Sequence, residues 1–246
     1  AHRARRPHLV RGRPLTAERR SFADREALAE ALAADVAAAL REGIAGRGIG
    51  AVVVSGGSTP ARFFAALSLR NDVAWENVVI TLVDERWVDE TSDRSNARLV
   101  KETLLRGRAG AALFVPLYSG GPAPDARALE RTALAVATVP RPFDAVILGM
   151  GSDGHTASFF PGGDNLALAL EGDQPVIAMQ APGAGEPRVT LSLAHLLETR
   201  ALYLHIEGEE KAAVLERALA DGPVEDMPVR AVLRQHRVPP VVYWSP

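Results

Sequence analysis

The sequence predicts an α/β protein with a mostly parallel central sheet and helices on both faces. Two observations carry this expectation. Short apolar runs rich in Val and Ile recur along the chain, each of a length suited to a buried strand. Segments with helical spacing alternate with them, and that alternation is the signature of parallel strands joined by helical crossovers.

Taken in order, residues 22–42 are Ala/Leu-rich with Leu28, Leu32, Val36 and Leu40 on one face, and Gly43 is the expected stop. Gly50–Val54 is a short strand, broken by Ser55-Gly-Gly-Ser-Thr-Pro60. Pro60 suits the first turn of a helix carrying Phe63, Phe64 and Leu67, with Ser58 or Thr59 as its cap. Val78–Val83 is a second strand, ending in Asp84-Glu-Arg-Trp87, and Ser95 caps a helix through Leu105. Ala112–Val115 reads as strand, Asp125–Thr138 as helix, and Phe143–Leu148 as a further buried strand. Residues 163–187 are rich in Gly and Pro, with one strand-like run at Val176–Met179. The alternation in Arg188–Leu193 predicts a half-exposed strand. Leu202–Ile206 (strand), Glu209–Ala220 (helix) and Val241–Trp244 (strand) complete the pattern. No internal repeat or long linker appears, so residues 21–246 are expected to form one domain behind a basic, flexible tail of residues 1–20.

The chain has 246 residues, 47% of them hydrophobic and 24% charged, which is ordinary for a globular protein. It has no cysteine, so disulfides, thiolate metal sites and cysteine nucleophiles are excluded. No apolar stretch reaches the roughly 18 residues of a membrane helix, and no signal-peptide pattern is present. No membrane association and a cytoplasmic location are expected. Residues 1–20 hold seven arginines against Glu18, or +6, while the whole chain is −2 and residues 21–246 therefore −8. A basic tail of this kind fits a nucleic-acid arm, a transit peptide or a solvated terminus. The last is favoured, because an acidic body offers nucleic acid no broad footprint.

Three loops follow strands that should end on one edge of the sheet, where such folds keep their sites. In the first, Ser55, Gly56, Gly57 and Ser58 precede a helix N-terminus and can present backbone N–H groups to a phosphate, although the same residues also make an ordinary turn. It lacks the patterns of triphosphate and dinucleotide loops. In the second, Asp84, Glu85 and Arg86 are costly to bury unless paired or used, and a solvated outward turn is the competing reading. Asp89, Glu90 and Asp93 follow without metal-ligand spacing, so no metal is expected. In the third, Gly149, Gly151 and Gly154 allow positive φ and close approach to a ligand. His155 among them is the natural general base, with Asp153 two residues earlier placed to orient it. Asp84 and Gly151 are counted with the residues facing the substrate. Arg188 and Lys211 can close around a phosphate; read alone, they are a surface strand residue and a solvated helix residue paired with Glu207. His195, His205 and His236 are expected to be structural or surface residues.

Together these motifs resemble the 6-phosphogluconolactonases, within the larger group related to glucosamine-6-phosphate deaminase. The resemblance runs from Phe22 to Trp244 through Ser55–Pro60, Asp84–Trp87 with Ser95-Asn96, Gly149–Gly162, Arg188–Leu191 and Gly208–Lys211. It implies a Rossmann-like three-layer α/β/α fold, no cofactor, and hydrolysis of 6-phospho-D-glucono-1,5-lactone as the second step of the oxidative pentose phosphate pathway. Ser55–Ser58, Arg188 and Lys211 would then hold the phosphate, His155 would activate water, and Arg86 would face the lactone. The partner is thus a small phosphorylated sugar lactone, and the chain a monomer or small homo-oligomer. The deaminases of this group carry a glutamate five residues after their histidine, where this chain has Phe160, and tend to have Tyr in place of Arg86. A sugar-phosphate sensor is the other rival; sensors of this fold normally carry a DNA-binding segment, for which residues 1–20 are too short.

Overall fold

A computed structural model describes residues 17–246. Its central sheet contains seven strands, all parallel. In chain order these are β1 (Glu18–Ser21), β2 (Gly50–Val54), β3 (Val78–Leu82), β5 (Leu113–Val115), β6 (Ala145–Leu148), β9 (Leu202–Glu207) and β10 (Pro240–Ser245), and across the sheet they lie in the order β1-β10-β9-β6-β2-β3-β5. Every residue of β2, β3 and β6 is buried, as strands covered on both faces require. A second, antiparallel sheet, which the sequence did not suggest, has the order β4-β8-β7 and consists of β4 (Asp84–Arg86), β7 (Val176–Met179) and β8 (Arg188–Leu191).

The helices flank these sheets. They are α1 (Arg25–Arg47), α2 (Ala61–Ser68), α3 (Asn96–Thr103), α4 (Ala126–Val136), α5 (Leu166–Glu171), α6 (Leu193–Leu196), α7 (Glu209–Leu219) and α8 (Val229–Arg234). Asp24, Ser95, Asp125 and Ser192 each cap the helix that follows by accepting a backbone N–H, which satisfies donors that helix geometry leaves free.

Several expectations are corrected. Helix α1 does not stop at Gly43 but runs to Arg47, with Gly48 as its left-handed cap at φ 78°. Gly43 serves proximity instead, since a Cβ there would lie 2.3 Å from the Asp144 carboxylate. Residues 18–20 belong to strand β1, paired with β10, rather than to a tail; residues 1–16 of that expected tail lie outside the described residues. Neither Ser58 nor Thr59 caps α2, whose N-cap position is Pro60 with no side-chain bond. Residues 163–187 contain the short helix α5 as well as β7. All four residues of β8 are buried; the face carrying Arg188 and Thr190 is covered by the segment after β6, with Ser158 N–H on Thr190 Oγ1 and the Phe160 ring under Arg188.

Asp144 ties three elements together. Its fully buried carboxylate accepts from the Arg47 guanidinium at 2.6 and 2.7 Å and from the Ala51 backbone N–H at 2.7 Å. The end of α1, the start of β2 and the entry to β6 are thereby fixed to one another. Asp144→Ala is expected to cost about 3 kcal/mol, the low end for breaking a buried pair, because Arg47 is partly exposed and regains water. Urea denaturation should show this as a lower midpoint.

Candidate active site

The sheet reverses direction between β2 and β6: the chain moves from β2 outward through β3 to β5, then returns to β6 on the other side. A crevice at the carboxyl ends of the strands is expected at such a reversal. One cleft of about 240 Å³ opens there, lined by Ser55–Pro60 after β2, Asp84 and Arg86 of β4, and Ile147–Gly151 and His155–Ala157 after β6. Arg188, Lys211, Asn96 and His205 complete its wall. The three loops singled out in the sequence therefore meet in one place. No group of three or more His, Cys, Asp or Glu side chains among the described residues could hold a metal ion.

The loop after β6 is shaped by hydrogen bonds. His155 Nδ1 lies 2.6 Å from Asp153 Oδ1, and the same oxygen accepts the His155 backbone N–H at 3.0 Å. With Nδ1 committed to the carboxylate, the Nε2 lone pair is the one free to take a proton. Burial alone would raise the Asp153 pKa, but the bonds from His155 outweigh it and hold the carboxyl at about 2. Asp153 itself does not line the cleft; it acts on it through the imidazole. Asp84 does not reach His155 and instead accepts from Ser158 Oγ at 2.6 Å. Of the three glycines, only Gly154 has positive φ. Gly151 is needed for space, because a Cβ there would lie 2.1 Å from His155 Nδ1.

The short strand β4 runs antiparallel to β8 in a register that places Arg86 directly opposite Arg188. Like charges opposed in this way are destabilising unless something offsets them. Arg188 is nearly buried, and Arg86 is half-buried. Burial pushes the Arg188 guanidinium below its ordinary pKa, Asp84 opposes that and Arg86 adds to it. Arg188 donates to the Ala184 carbonyl at 2.9 Å, and Arg86 to the Arg94 carbonyl at 2.6 Å. The Nε of each is buried without a partner among the described residues. One buried and one half-buried guanidinium lining the same cleft make a site for an anion or for developing negative charge.

Elsewhere along the cleft, the α2 N-terminus has no side-chain cap, so its N–H groups remain available next to the Ser55–Ser58 loop. Ser55 Oγ is already engaged: it donates to the Ile147 carbonyl at 2.8 Å and accepts from Gly149 N at 3.2 Å, strapping the first loop to the third. Lys211 is not paired with Glu207 but donates to Ser152 Oγ at 3.1 Å. Glu207 is held by His205 Nε2 at 3.1 Å and by Arg25 at 3.4 Å. His236 follows α8 in a loop, and His195 is buried in α6. His205 departs from the expectation, since it lines the cleft.

Asn96, given no role in the sequence beyond its place in the Ser95-Asn96 landmark, also lines the cleft. Its side chain lies so close to Gly56 that a Cβ on the glycine would approach Asn96 Oδ1 to 1.9 Å. Phe160 packs against the His155 ring at 4.4 Å between centroids, and the Arg188 guanidinium lies 5.4 Å over the Phe160 ring.

Residues 23–244 match the family described as glucosamine-6-phosphate isomerases/6-phosphogluconolactonase. The chain belongs to this family. Among its relatives, a 6-phosphogluconolactonase of Rhizobium meliloti is 48% identical over 94% of this chain and 100% of its own length. One from Pseudomonas aeruginosa is 42% identical over 89% and 90% respectively. The crystal structure of a 6-phosphogluconolactonase from Shewanella baltica superposes with a TM-score of 0.91 at 42% identity, covering 94% of this chain and 98% of that one. The shared glucosamine-isomerase/6-phosphogluconolactonase fold therefore carries the cleft described above.

The Asp153–His155 pair generates a pH prediction. A carboxyl held below its unfolded value contributes stability that is present above the unfolded pKa and lost as pH falls through the folded one. The Asp153 carboxyl carbon should titrate near pH 2 by NMR in the parent protein. In His155→Ala the midpoint should move up toward about 3.9. An unmoved midpoint would show that the imidazole does not hold the carboxylate.

Proposed function

We propose that the chain hydrolyses 6-phospho-D-glucono-1,5-lactone to 6-phospho-D-gluconate, the second step of the oxidative pentose phosphate pathway. The observation that carries this reading is that one cleft holds both an oriented histidine and several anion-binding groups. His155 with Asp153 at its Nδ1 stands on one loop. The uncapped α2 N-terminus, Arg188 and Lys211 line the same cleft. The extent and identity of the match to relatives named 6-phosphogluconolactonase support the same substrate.

A δ-lactone is an activated ester, so water can attack its carbonyl without a covalent enzyme intermediate. In the proposed mechanism His155 Nε2 takes a proton from that water as the new C–O bond forms. Asp153, ionised at neutral pH, stabilises the imidazolium. The carbonyl oxygen becomes an oxyanion, and Arg86 supplies a fixed cation beside it. Collapse of the tetrahedral centre breaks the bond to the ring oxygen, which takes the proton back from His155. The phosphate, held at the far end by the Ser55–Ser58 backbone, Arg188 and Lys211, anchors the sugar so that the carbonyl meets the water in one orientation.

Phe160 favours this chemistry over isomerisation and deamination. Those reactions move a proton between adjacent carbons, and the deaminases carry a glutamate five residues after the histidine; at that position here stands Phe160, whose ring packs at a tilt against the imidazole.

His155→Ala is expected to lower kcat by roughly 100-fold or more, the usual scale for loss of a general base, with phosphate binding retained. Turnover would be followed on freshly generated lactone and corrected for spontaneous hydrolysis. Parental turnover in this variant would remove His155 from its role. Arg188→Ala and Lys211→Ala should instead act mainly by raising KM for the phosphorylated lactone. Equal hydrolysis of unphosphorylated gluconolactone by the parent enzyme would contradict the phosphate assignment.

A further inference from the structure

Glu85 is fully buried and does not line the cleft, yet it has an acceptor role in every direction. One carboxylate oxygen, Oε1, accepts the backbone N–H of Arg86 at 2.8 Å and that of Asn96 at 2.8 Å. The other, Oε2, accepts the Ala97 N–H at 2.8 Å and the Ser95 hydroxyl at 3.3 Å. A buried acid with no cationic side chain bonded to it is an expensive choice for a strand. Ser95 caps α3 through the Arg98 N–H alone, and Glu85 takes the Asn96 and Ala97 N–H groups that Ser95 leaves free, so it shares in capping a buried helix end.

The residues that Glu85 holds explain that choice. Arg86 and Asn96 both line the cleft, and a single oxygen fixes the backbone of both. Asn96 passes the constraint on: its Nδ2 donates to the Asp84 carbonyl at 3.0 Å, and its side chain is in close approach to Gly56 of the first loop. The wall expected to meet the lactone and the loop expected to meet the phosphate are therefore referenced to one buried carboxylate.

We propose that Glu85 is a positioning residue for the reaction, setting the placement of Arg86 and of the Asn96–Gly56 contact without touching substrate. The proposal rests on the lactonase reading of the site. Burial raises the carboxyl to about 7 against the pull of the backbone donors, so the clasp is held by an acid near its titration point.

Two variants test it, measured per mole of folded protein beside the parent. Glu85→Gln keeps one carbonyl oxygen for the Arg86 and Asn96 amides, while its NH2 can donate to the Ser95 hydroxyl but sets a donor against the Ala97 N–H. Glu85→Ala removes the clasp entirely. Displacement of catalytic groups by about 1 Å can cost on the order of 100-fold, so Glu85→Ala should lose at least about 10-fold in kcat/KM. Glu85→Gln should recover most of that loss, and in the Ala variant the Arg86 and Asn96 amide resonances should shift together. If Glu85→Ala does not fold, the decision falls to Glu85→Gln: the proposal expects kcat/KM to fall a few-fold with both amides displaced. A variant with a lowered Tm but parental kcat and KM would overturn the proposal and leave Glu85 a stability residue. Absence of lactone turnover by the parent enzyme would instead overturn the functional reading itself.

Discussion

The Ser55 hydroxyl bridges the ends of β2 and β6, and the arrangement of the cleft depends on that strap. Strands that run parallel and side by side must part at their carboxyl ends, because each chain leaves for a different helix. Here the departure is pinned by Ser55 Oγ donating to the Ile147 carbonyl and accepting from the Gly149 amide. Without it, the loop leading into α2 and the loop carrying His155 would each answer only to its own strand. Lower in the same seam, Asp144 fixes the starts of β2 and β6 against α1. The two polar clasps bracket an otherwise apolar pair of strands.

Charge is then distributed by geometry rather than by net composition. The described body is acidic, yet its cleft collects Arg86, Arg188 and Lys211. Carboxylates nearby are spoken for: Asp84 by Ser158, Asp153 by His155, Glu85 by backbone amides. Arg188 also lies 3.9 Å from Asp84, but Asp84 is the one carboxylate in the lining beside these three cations. A ligand bearing negative charge thus meets a net positive wall.

Much of the parallel sheet was legible because its strands are continuous apolar runs, as in Val52–Val54 and Val146–Leu148. Strand β4 was not, because three consecutive charged residues mimic a solvated turn; only the antiparallel partner and the α3 amides make Asp84 and Glu85 tolerable inside. The burial of Arg188 escaped for a related reason. Alternation along β8 signals one wet face only if nothing covers it, and Ser158 and Phe160, which cover the Arg188 face, come from a distant part of the chain. Glycine was over-read: Gly43 marks a close approach and not a helix end, and Gly151 is small rather than left-handed. The loop carrying His155 was legible because its motif is local in sequence. Asn96 was legible only as part of the Ser95-Asn96 landmark, and His205 belongs to the cleft by tertiary placement alone.

The pairing of β4 with β8 has a consequence for how this family can change. Side chains in a strand alternate between faces, so a slip of one residue sends each to the opposite side. Arg86 and Arg188 face the same cleft because of that register. Deleting a single residue from either strand would leave the ladder able to re-form while turning a guanidinium away from the site. Substitutions at these strands can be graded in effect, but a change in length is all or nothing, and the second sheet should tolerate altered residues far better than altered spacing.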